Sequence, residues 1–418
     1  MKIWLLTIGE PIIKQKQKLR LHRTGIFAKY ISQNSDHHVT WFTSTFNHFL
    51  KKHEYDSDHI YNDNDNLKVI SFKGRGYKSN ISFSRIIDHY QIAKKFKRYI
   101  KKKSKPDIII TSFPTMELSR VAVDYARKNN ICVLVDYRDL WPEVFVEVAP
   151  RIFQPIIRLI LYPLFKKRKS ILRNSTGIIS ITDELLNYCL KIINRKKNNF
   201  DNSFPLAYYK SEKNKTNNSA KSFWNKIIPA GYKNIICFFG TIGYQFDLET
   251  VIESAEKLQK SNVLFVICGD GDLRNDIIKK SKKLRNIIFP GYVTATQIKE
   301  LLNISSIGLC PYKPKKAFLN SIPGKAIEYF SSGLPILTTL GGGVLGNLVI
   351  KNNFGSNYKY KNSKSLVDEI HNLLIKLNDN SIDKNKILKY YNHHFDSKSV
   401  FKNYLLHVEK VYLKYYKK

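Results

Sequence analysis

Acid is in short supply in this chain. Its 418 residues hold 34 Asp and Glu against 70 Lys and Arg, a formal net charge of +36. Such an excess concentrates anions near the surface, among them phosphorylated substrates, acidic lipid and nucleic acid. The abundance of Asn and Ile beside Lys also fits a compositional drift with no ligand behind it. Cysteine is scarce. Cys132, Cys189, Cys237, Cys268 and Cys310 show neither metal-ligand nor redox spacing, and their number is odd. A disulfide framework does not fit, and a reducing cytosol does. The histidines His22, His37, His38, His48 and His53 sit in no ligand spacing, so no metal site is expected. Long apolar runs are missing, and none approaches the ~20 residues of a membrane span. The nearest, 152–165, is interrupted by Pro155, Arg158 and Pro163 and runs into Lys166-Lys167-Arg168-Lys169. The opening nine residues are too short an apolar run for a signal peptide and read as a first core strand.

Apolar residues make up 43% of the chain, enough for real cores, and the length suggests two domains. Strand-like runs lie at 3–8, 39–43, 69–72, 107–111, 131–136 and 177–181, and again at 235–239, 263–268, 286–289, 306–310 and 335–338. Helical patterns separate them, for example 85–101, 118–128, 248–258, 272–284, 296–303 and 325–332. This alternation predicts an α/β chain of two doubly wound parallel sheets. A polar stretch rich in Asn, Lys and Ser divides the sets. The expected organisation is a first domain over 1–200, a linker over 201–225 and a second domain over 226–395. A helix over 396–418 is expected to return to the first domain.

Ligands of open parallel sheets bind beyond the carboxyl ends of the strands. Three such ends in the second half carry glycine: Gly240-Thr241-Ile242-Gly243, Gly269-Asp270-Gly271 and Leu340-Gly341-Gly342-Gly343. Backbone N–H groups approach a phosphate closely at such turns, although glycine there also serves plain turn chemistry. In Pro323-Gly324-Lys325-Ala326-Ile327-Glu328, the Lys and Glu stand three apart on one helical face. The pair suits a diphosphate and a ribose diol, or is a surface ion pair. In the first half the strand at 131–136 leaves through Tyr137-Arg138-Asp139-Leu140-Trp141-Pro142-Glu143, a ligand-facing cluster or a structural ion pair. Arg20-Leu21-His22-Arg23-Thr24-Gly25 either meets a phosphate or opens the first helix.

Taken in order and at these spacings, the motifs resemble the retaining glycosyltransferases of family 4, with the GT-B fold of two Rossmann-like domains facing a cleft. The nearest branch builds O-antigen, capsule and other bacterial envelope polysaccharides. Asn286-Ile287-Ile288-Phe289-Pro290-Gly291 and Gly333-Leu334-Pro335 add to the match, as does the Asp139-Leu140-Trp141-Pro142 segment. The resemblance implies transfer of a hexosyl or N-acetylhexosaminyl group from a nucleotide-sugar, a UDP-sugar, with retention and without a metal or other cofactor. It assigns the donor to Gly240, Thr241, Gly243, Gly269, Asp270, Gly271, Arg274, Lys313, Lys325, Glu328, Asn320 and Gly342. Proton handling falls to Asp139, Arg138 or Asp136, or to the leaving phosphate.

The chain departs from the family at several positions. Asn320 stands where a Glu usually reaches the donor sugar. Thr241 and Phe246 occupy the places of an Arg and a Lys that meet the diphosphate, which leaves that charge to Lys325, Lys313, Lys315 or Arg274. Arg138 replaces a His, and Thr7-Ile8-Gly9-Glu10 replaces a glycine-rich turn. The acceptor implied is a saccharide on a polyprenyl diphosphate. The 152–165 run with 166–169, helped by Lys94, Lys95, Lys97 and Arg98, is expected to dock on the anionic inner face of the plasma membrane from the cytoplasm. The alternatives are a nucleotide-sugar epimerase or hydrolase of the same fold, or a basic nucleic-acid-binding protein. Dispersed charge argues against the latter, so no nucleic-acid partner is expected.

Overall fold

The computed structural model describes residues 1–12, 21–48, 50–79, 82–207 and 218–417. The chain forms two compact units, Met1–Tyr208 with Ser397–Lys418, and Tyr209–Asp396. Of the polar stretch read as a linker, 208–217 lies outside the described residues, as does Arg20.

Unit 1 is built on an eight-stranded sheet. Its strands are β1 (Lys2–Leu6), β2 (His38–Ser44), β5 (His59–Asn64), β6 (Leu67–Phe72), β7 (Ile108–Phe113), β8 (Cys132–Tyr137), β9 (Gly177–Ser180) and β10 (Asn202–Ser203). A small antiparallel pair, β3 (Phe46–Asn47) and β4 (Lys52–His53), lies outside it. The sheet order is β10-β9-β8-β7-β1-β2-β6-β5, parallel throughout except for the β5–β6 edge. Every residue of β7 and β8 is buried, as parallel strands covered on both faces require. The reversal of strand order falls between β1 and β7.

The last helix, Ser397–Tyr416, belongs to unit 1. Phe401 and Tyr404 stack on Phe27, with ring centroids 5.6 and 4.2 Å apart, and Phe204 stacks on the other side of Tyr404 at 4.7 Å. Its apolar stripe is what holds the helix there.

Unit 2 holds six parallel strands: β11 (Asn234–Phe239), β12 (Val263–Cys268), β13 (Ile287–Gly291), β14 (Ile307–Cys310), β15 (Ile336–Thr338) and β16 (Gly355–Asn357). Their order is β13-β12-β11-β14-β15-β16, the doubly wound order with its switch point between β11 and β14. The helix Gly324–Phe330 is locked over that point by Tyr329. The Tyr329 hydroxyl lies 3.1 Å from the carbonyl oxygens of both Cys237 and Leu309, one on each flanking strand. Gly308 makes room for the ring, because a Cβ there would stand 2.5 Å from it. All five cysteines are buried and unpaired.

Phe401 is fully buried, so F401A is expected to cost about 3–5 kcal/mol. Urea unfolding should show the loss in unit 1 alone, with the unit 2 transition unmoved.

Candidate functional site

In unit 2 the glycine-bearing strand ends interlock. Gly240 donates its N–H to the Cys268 carbonyl at 3.1 Å, and Ile242 does so to the Asp270 carbonyl at 2.8 Å. A Cβ on Gly269 would lie 1.8 Å from the Gly240 oxygen, and one on Gly271 would lie 2.5 Å from the Ile242 oxygen. These glycines are therefore needed for the two loops to touch. Gly240, Thr241 and Asp270 are exposed at the resulting rim, and the Asp270 carboxylate accepts from the Gly271 N–H at 2.8 Å. The Arg274 guanidinium reaches the same rim beside Gly291, 3.7 Å from where a Cβ would stand. Gly243 is buried behind it.

Lys325 enters from the helix Gly324–Phe330 and is nine-tenths buried. Its Nζ sits 3.9 Å from the Phe238 ring centroid, 3.8 Å from that of Phe246 and 5.1 Å from that of Tyr312. Directly above is Gly240, whose Cβ would be 3.5 Å from Nζ. The buried ammonium has no hydrogen-bond acceptor. Burial draws its pKa down to about 7, against the pull of the Cys310 sulfur and Glu328. The ring faces also favour the cation, by about 0.5–2 kcal/mol. A buried, unsatisfied cation beneath an exposed strand-end glycine is arranged to receive an anion.

The rings explain the departure at Phe246. Where the resemblance leads one to expect a cation on the loop, this chain has an aromatic ring, and the cation arrives at that ring from a different helix. Sequence reading missed the cage because Phe238, Phe246 and Tyr312 come from three separate segments.

Glu328, one turn beyond Lys325, is half-buried. Lys313 is held at the rim by its N–H donating to the Gln245 carbonyl at 2.9 Å. Asn320 ends the short helix Lys316–Leu319, and Gly343 packs on that helix with a Cβ position 2.7 Å from the Leu319 oxygen. The 341–343 loop and Asn320 are thereby neighbours, and Gly342 has open space around it.

Unit 1 uses its switch point differently. Asp136 is 1% exposed and lies between two guanidinium groups, 3.0 Å from Arg23 Nε and 2.9 Å from Arg138 Nη2. Burial alone would raise its carboxyl, but Arg138 and Arg23 hold it below the usual carboxylate range. Arg138 also pairs with Glu10. Glu10 in turn accepts from the N–H of Thr24 at 3.1 Å and from its hydroxyl at 2.9 Å. The anion at the start of the helix Arg23–Asn34 is thus a carboxylate of the chain itself, which satisfies the helix N-terminus from within. Among the described residues of this segment, Arg23 is held by Asp136 and by the carbonyls of Phe204 and Pro205, and it opens the helix Arg23–Asn34.

Of the three proton-handling candidates, Asp136 is a buried structural anion, Arg138 its partner, and Asp139 the exposed one. Desolvation raises the Asp139 carboxyl, with Arg138 and Arg85 pulling the other way. Arg85, unmarked in the sequence, lies 4.8 Å over the Trp141 ring and 5.7 Å over Tyr77, tying this strand end to the loop after β6.

The basic run 166–169 needs one correction. Arg168 is buried against Glu143 and the Trp141 carbonyl, and Lys167 pairs with Glu117 at 3.3 Å, which leaves Lys166 and Lys169 as the exposed cations. Among the described residues, no group of three or more His, Cys, Asp or Glu is placed to hold a metal ion. No described helix is long and apolar enough to cross a membrane.

Residues 221–392, within unit 2, match the family described as glycosyl transferases group 1. No curated protein matches the chain. Among solved structures it is similar to sucrose-phosphate synthase from Thermosynechococcus elongatus, with a TM-score of 0.72, 14% identity and 99% of both chains covered. It is similar to HepE of Anabaena in complex with UDP (TM-score 0.65, 12% identity, 98% of this chain and 99% of that one). WaaG, a glycosyltransferase involved in lipopolysaccharide biosynthesis, aligns with a TM-score of 0.62 at 14% identity, over 96% of this chain and 98% of that one. The fold is GT-B.

Between about pH 7 and the ordinary lysine pKa, the unfolded chain holds a proton at Lys325 that the folded chain lacks. Stability contributed at this position therefore rises with pH across that window. K325M removes the penalty. It is expected to stabilise unit 2 by about 1–3 kcal/mol below pH 7 and by little near pH 10, read from thermal unfolding at several pH values.

Proposed function

We propose that the chain is a retaining, metal-independent glycosyltransferase. It moves a hexosyl or N-acetylhexosaminyl group from a UDP-sugar to a saccharide on polyprenyl diphosphate, in the synthesis of a cell-surface polysaccharide. The observation that carries this reading is the caged Lys325 ammonium at the unit 2 switch point, buried and without an acceptor. A diphosphate supplies the missing oxygens. Arg274 and Lys313 supplement the charge from the rim, and Glu328 accepts hydrogen bonds from the ribose hydroxyls. Asn320 and Gly342 lie side by side as the candidates to meet the sugar. UDP in the HepE structure supports the choice of nucleotide.

In the transfer, the bond from the anomeric carbon to the diphosphate oxygen breaks. The acceptor hydroxyl oxygen bonds to the same face of that carbon, and its proton passes to the leaving phosphate. Lys325 stabilises the charge that grows on the leaving group. Asp139, exposed at the end of β8 with a raised carboxyl, orients the acceptor hydroxyl.

The acceptor lipid is met at the inner face of the plasma membrane. Ile152, Leu159 and Ile160 are 77%, 76% and 68% exposed, and Phe153, Ile156 and Tyr162 join them on the same surface segment. Arg151, Arg158, Lys166 and Lys169 surround this patch with positive charge. Such a face suits the boundary between acyl chains and acidic headgroups.

The following measurements check this reading. E328Q is expected to lose roughly 100-fold or more in transfer from a UDP-sugar while folding normally, D139N to lose rate more than donor binding, and EDTA to change neither. UDP affinity should weaken above about pH 7, by no more than tenfold per pH unit, because the bound diphosphate favours the charged amine. Calorimetry on K325M should show weaker binding without that slope. Replacing Leu159 and Ile160 by Asp should weaken sedimentation with phosphatidylglycerol vesicles tenfold or more, since each buried leucine or isoleucine is worth ~1.5–3 kcal/mol.

A further inference from the structure

Unit 1 holds a second concentration of positive charge, separate from the exposed apolar segment and from the β8 exit. It is a groove of about 430 Å³ lined by Lys73, Gly74, Arg75, Gln91, Lys94, Lys95 and Arg98. That volume lies in the range of about 300–1,000 Å³ usual for small-ligand sites.

Both walls are built. Gln91, Lys94, Lys95 and Arg98 follow the i, i+3, i+4, i+7 spacing along the helix Phe83–Ile100, so they share one face. The other face of that helix is buried through Asp88, Ile92, Ala93, Phe96 and Ile100. The facing wall is the loop after β6, and carboxylates fix it at both ends. Asp58 Oδ1 accepts from the Lys73 N–H at 2.7 Å, and the fully buried Asp88 accepts from the Gly76 N–H at 2.8 Å. Gly74 lies so close to Asp88 that a Cβ would be 2.1 Å from Oδ1, so the loop takes this path only with glycine there.

The charge is poorly balanced. Lys95 pairs with Asp58 at 2.7 Å, and Lys73 is 4.0 Å from Asp56. Arg75, Lys94 and Arg98 pair with no carboxylate among the described residues. Lys94 and Arg98 are also four apart on one helix, an arrangement that destabilises it by about 0.2–0.5 kcal/mol. The three unpaired cations, beside two others that are paired, leave the concavity with a net positive charge that a polyanion would balance. Two arginines among them suit phosphate oxygens, which a guanidinium can bind through paired N–H donors.

We infer that this groove is a binding site for a phosphate-bearing ligand with at least two negative charges, seated between the Phe83–Ile100 helix and the loop after β6. A soluble pyrophosphoryl group and an acidic lipid headgroup share that chemistry. The inference does not depend on unit 2 binding a nucleotide.

The test uses the full chain with inorganic pyrophosphate as probe, in a K325M background that removes the unit 2 cation, because UDP itself carries the diphosphate the groove would bind. One pyrophosphate per chain is expected, with affinity reduced tenfold or more in R75A/R98A. A matched double variant in unit 2, K282A/K283A, removes two exposed cations elsewhere and should bind as the parent does. Vesicles of phosphatidylglycerol identify the source. If they compete with pyrophosphate and R75A/R98A weakens their binding, the ligand is a headgroup. If they do not compete, it is a pyrophosphoryl group free of the bilayer. Equal pyrophosphate binding by the parent and R75A/R98A, or equal loss in both double variants, would overturn the site. Failure of UDP to bind would count against the glycosyltransferase reading, while the comparison of R75A/R98A with K282A/K283A would still judge the groove.

Discussion

Two neighbouring parallel strands that send their connections to opposite faces leave a crevice between their carboxyl ends. No side chain of the sheet itself fills it. In unit 2 this crevice opens between β11 and β14, and the Tyr329 hydroxyl spans it beneath the surface by reaching a carbonyl on each strand. That contact fixes the helix Gly324–Phe330. The helix fixes Lys325, and so sets an amine without an acceptor at the floor of the crevice. The interlocked glycine loops keep the mouth open by bringing backbone where side chains would otherwise stand.

The two units share the order of six parallel strands about the reversal but treat that reversal in opposite ways. Unit 1 fills its crevice with Glu10, Asp136, Arg23 and Arg138, which neutralise one another and satisfy a helix N-terminus from within. Unit 2 leaves one cation among aromatic rings with no partner. An ion-paired network is costly to disturb, whereas an unpaired buried cation gains from any acceptor that reaches it. The same topology therefore gives a sealed unit and a receptive one, and the difference rests on a few side chains.

The strands that form the two sheet centres were legible because parallel strands covered on both faces read as unbroken apolar runs, as in Ile108-Ile109-Ile110 and Val263-Leu264-Phe265-Val266. The edges were not. β5 reads His59-Ile60-Tyr61-Asn62-Asp63-Asn64, half exposed and polar, while β10 and β16 have only two and three residues. The glycine-bearing strand ends, and the placing of Lys325 and Glu328 one turn apart on a single helix, could be read from local spacing. The aromatic cage and the clamp of Glu10 on Thr24 could not, because their partners lie far apart in sequence. Adjacency also misled: Arg168 stands in a row of four basic residues, yet helical spacing turns it inward onto Glu143.

The five thiols are all buried, and burial raises each of those at Cys132, Cys237 and Cys310 to about 12, with Cys189 and Cys268 higher still. Thiolate is the reactive form, so these buried thiols are expected to react slowly with maleimides and other alkylating probes at neutral pH. A single cysteine introduced on the surface of either unit would carry a fluorophore or spin label almost alone. The chemistry of its core thus makes this chain a ready subject for distance measurements between its two halves, with no native cysteine to remove first.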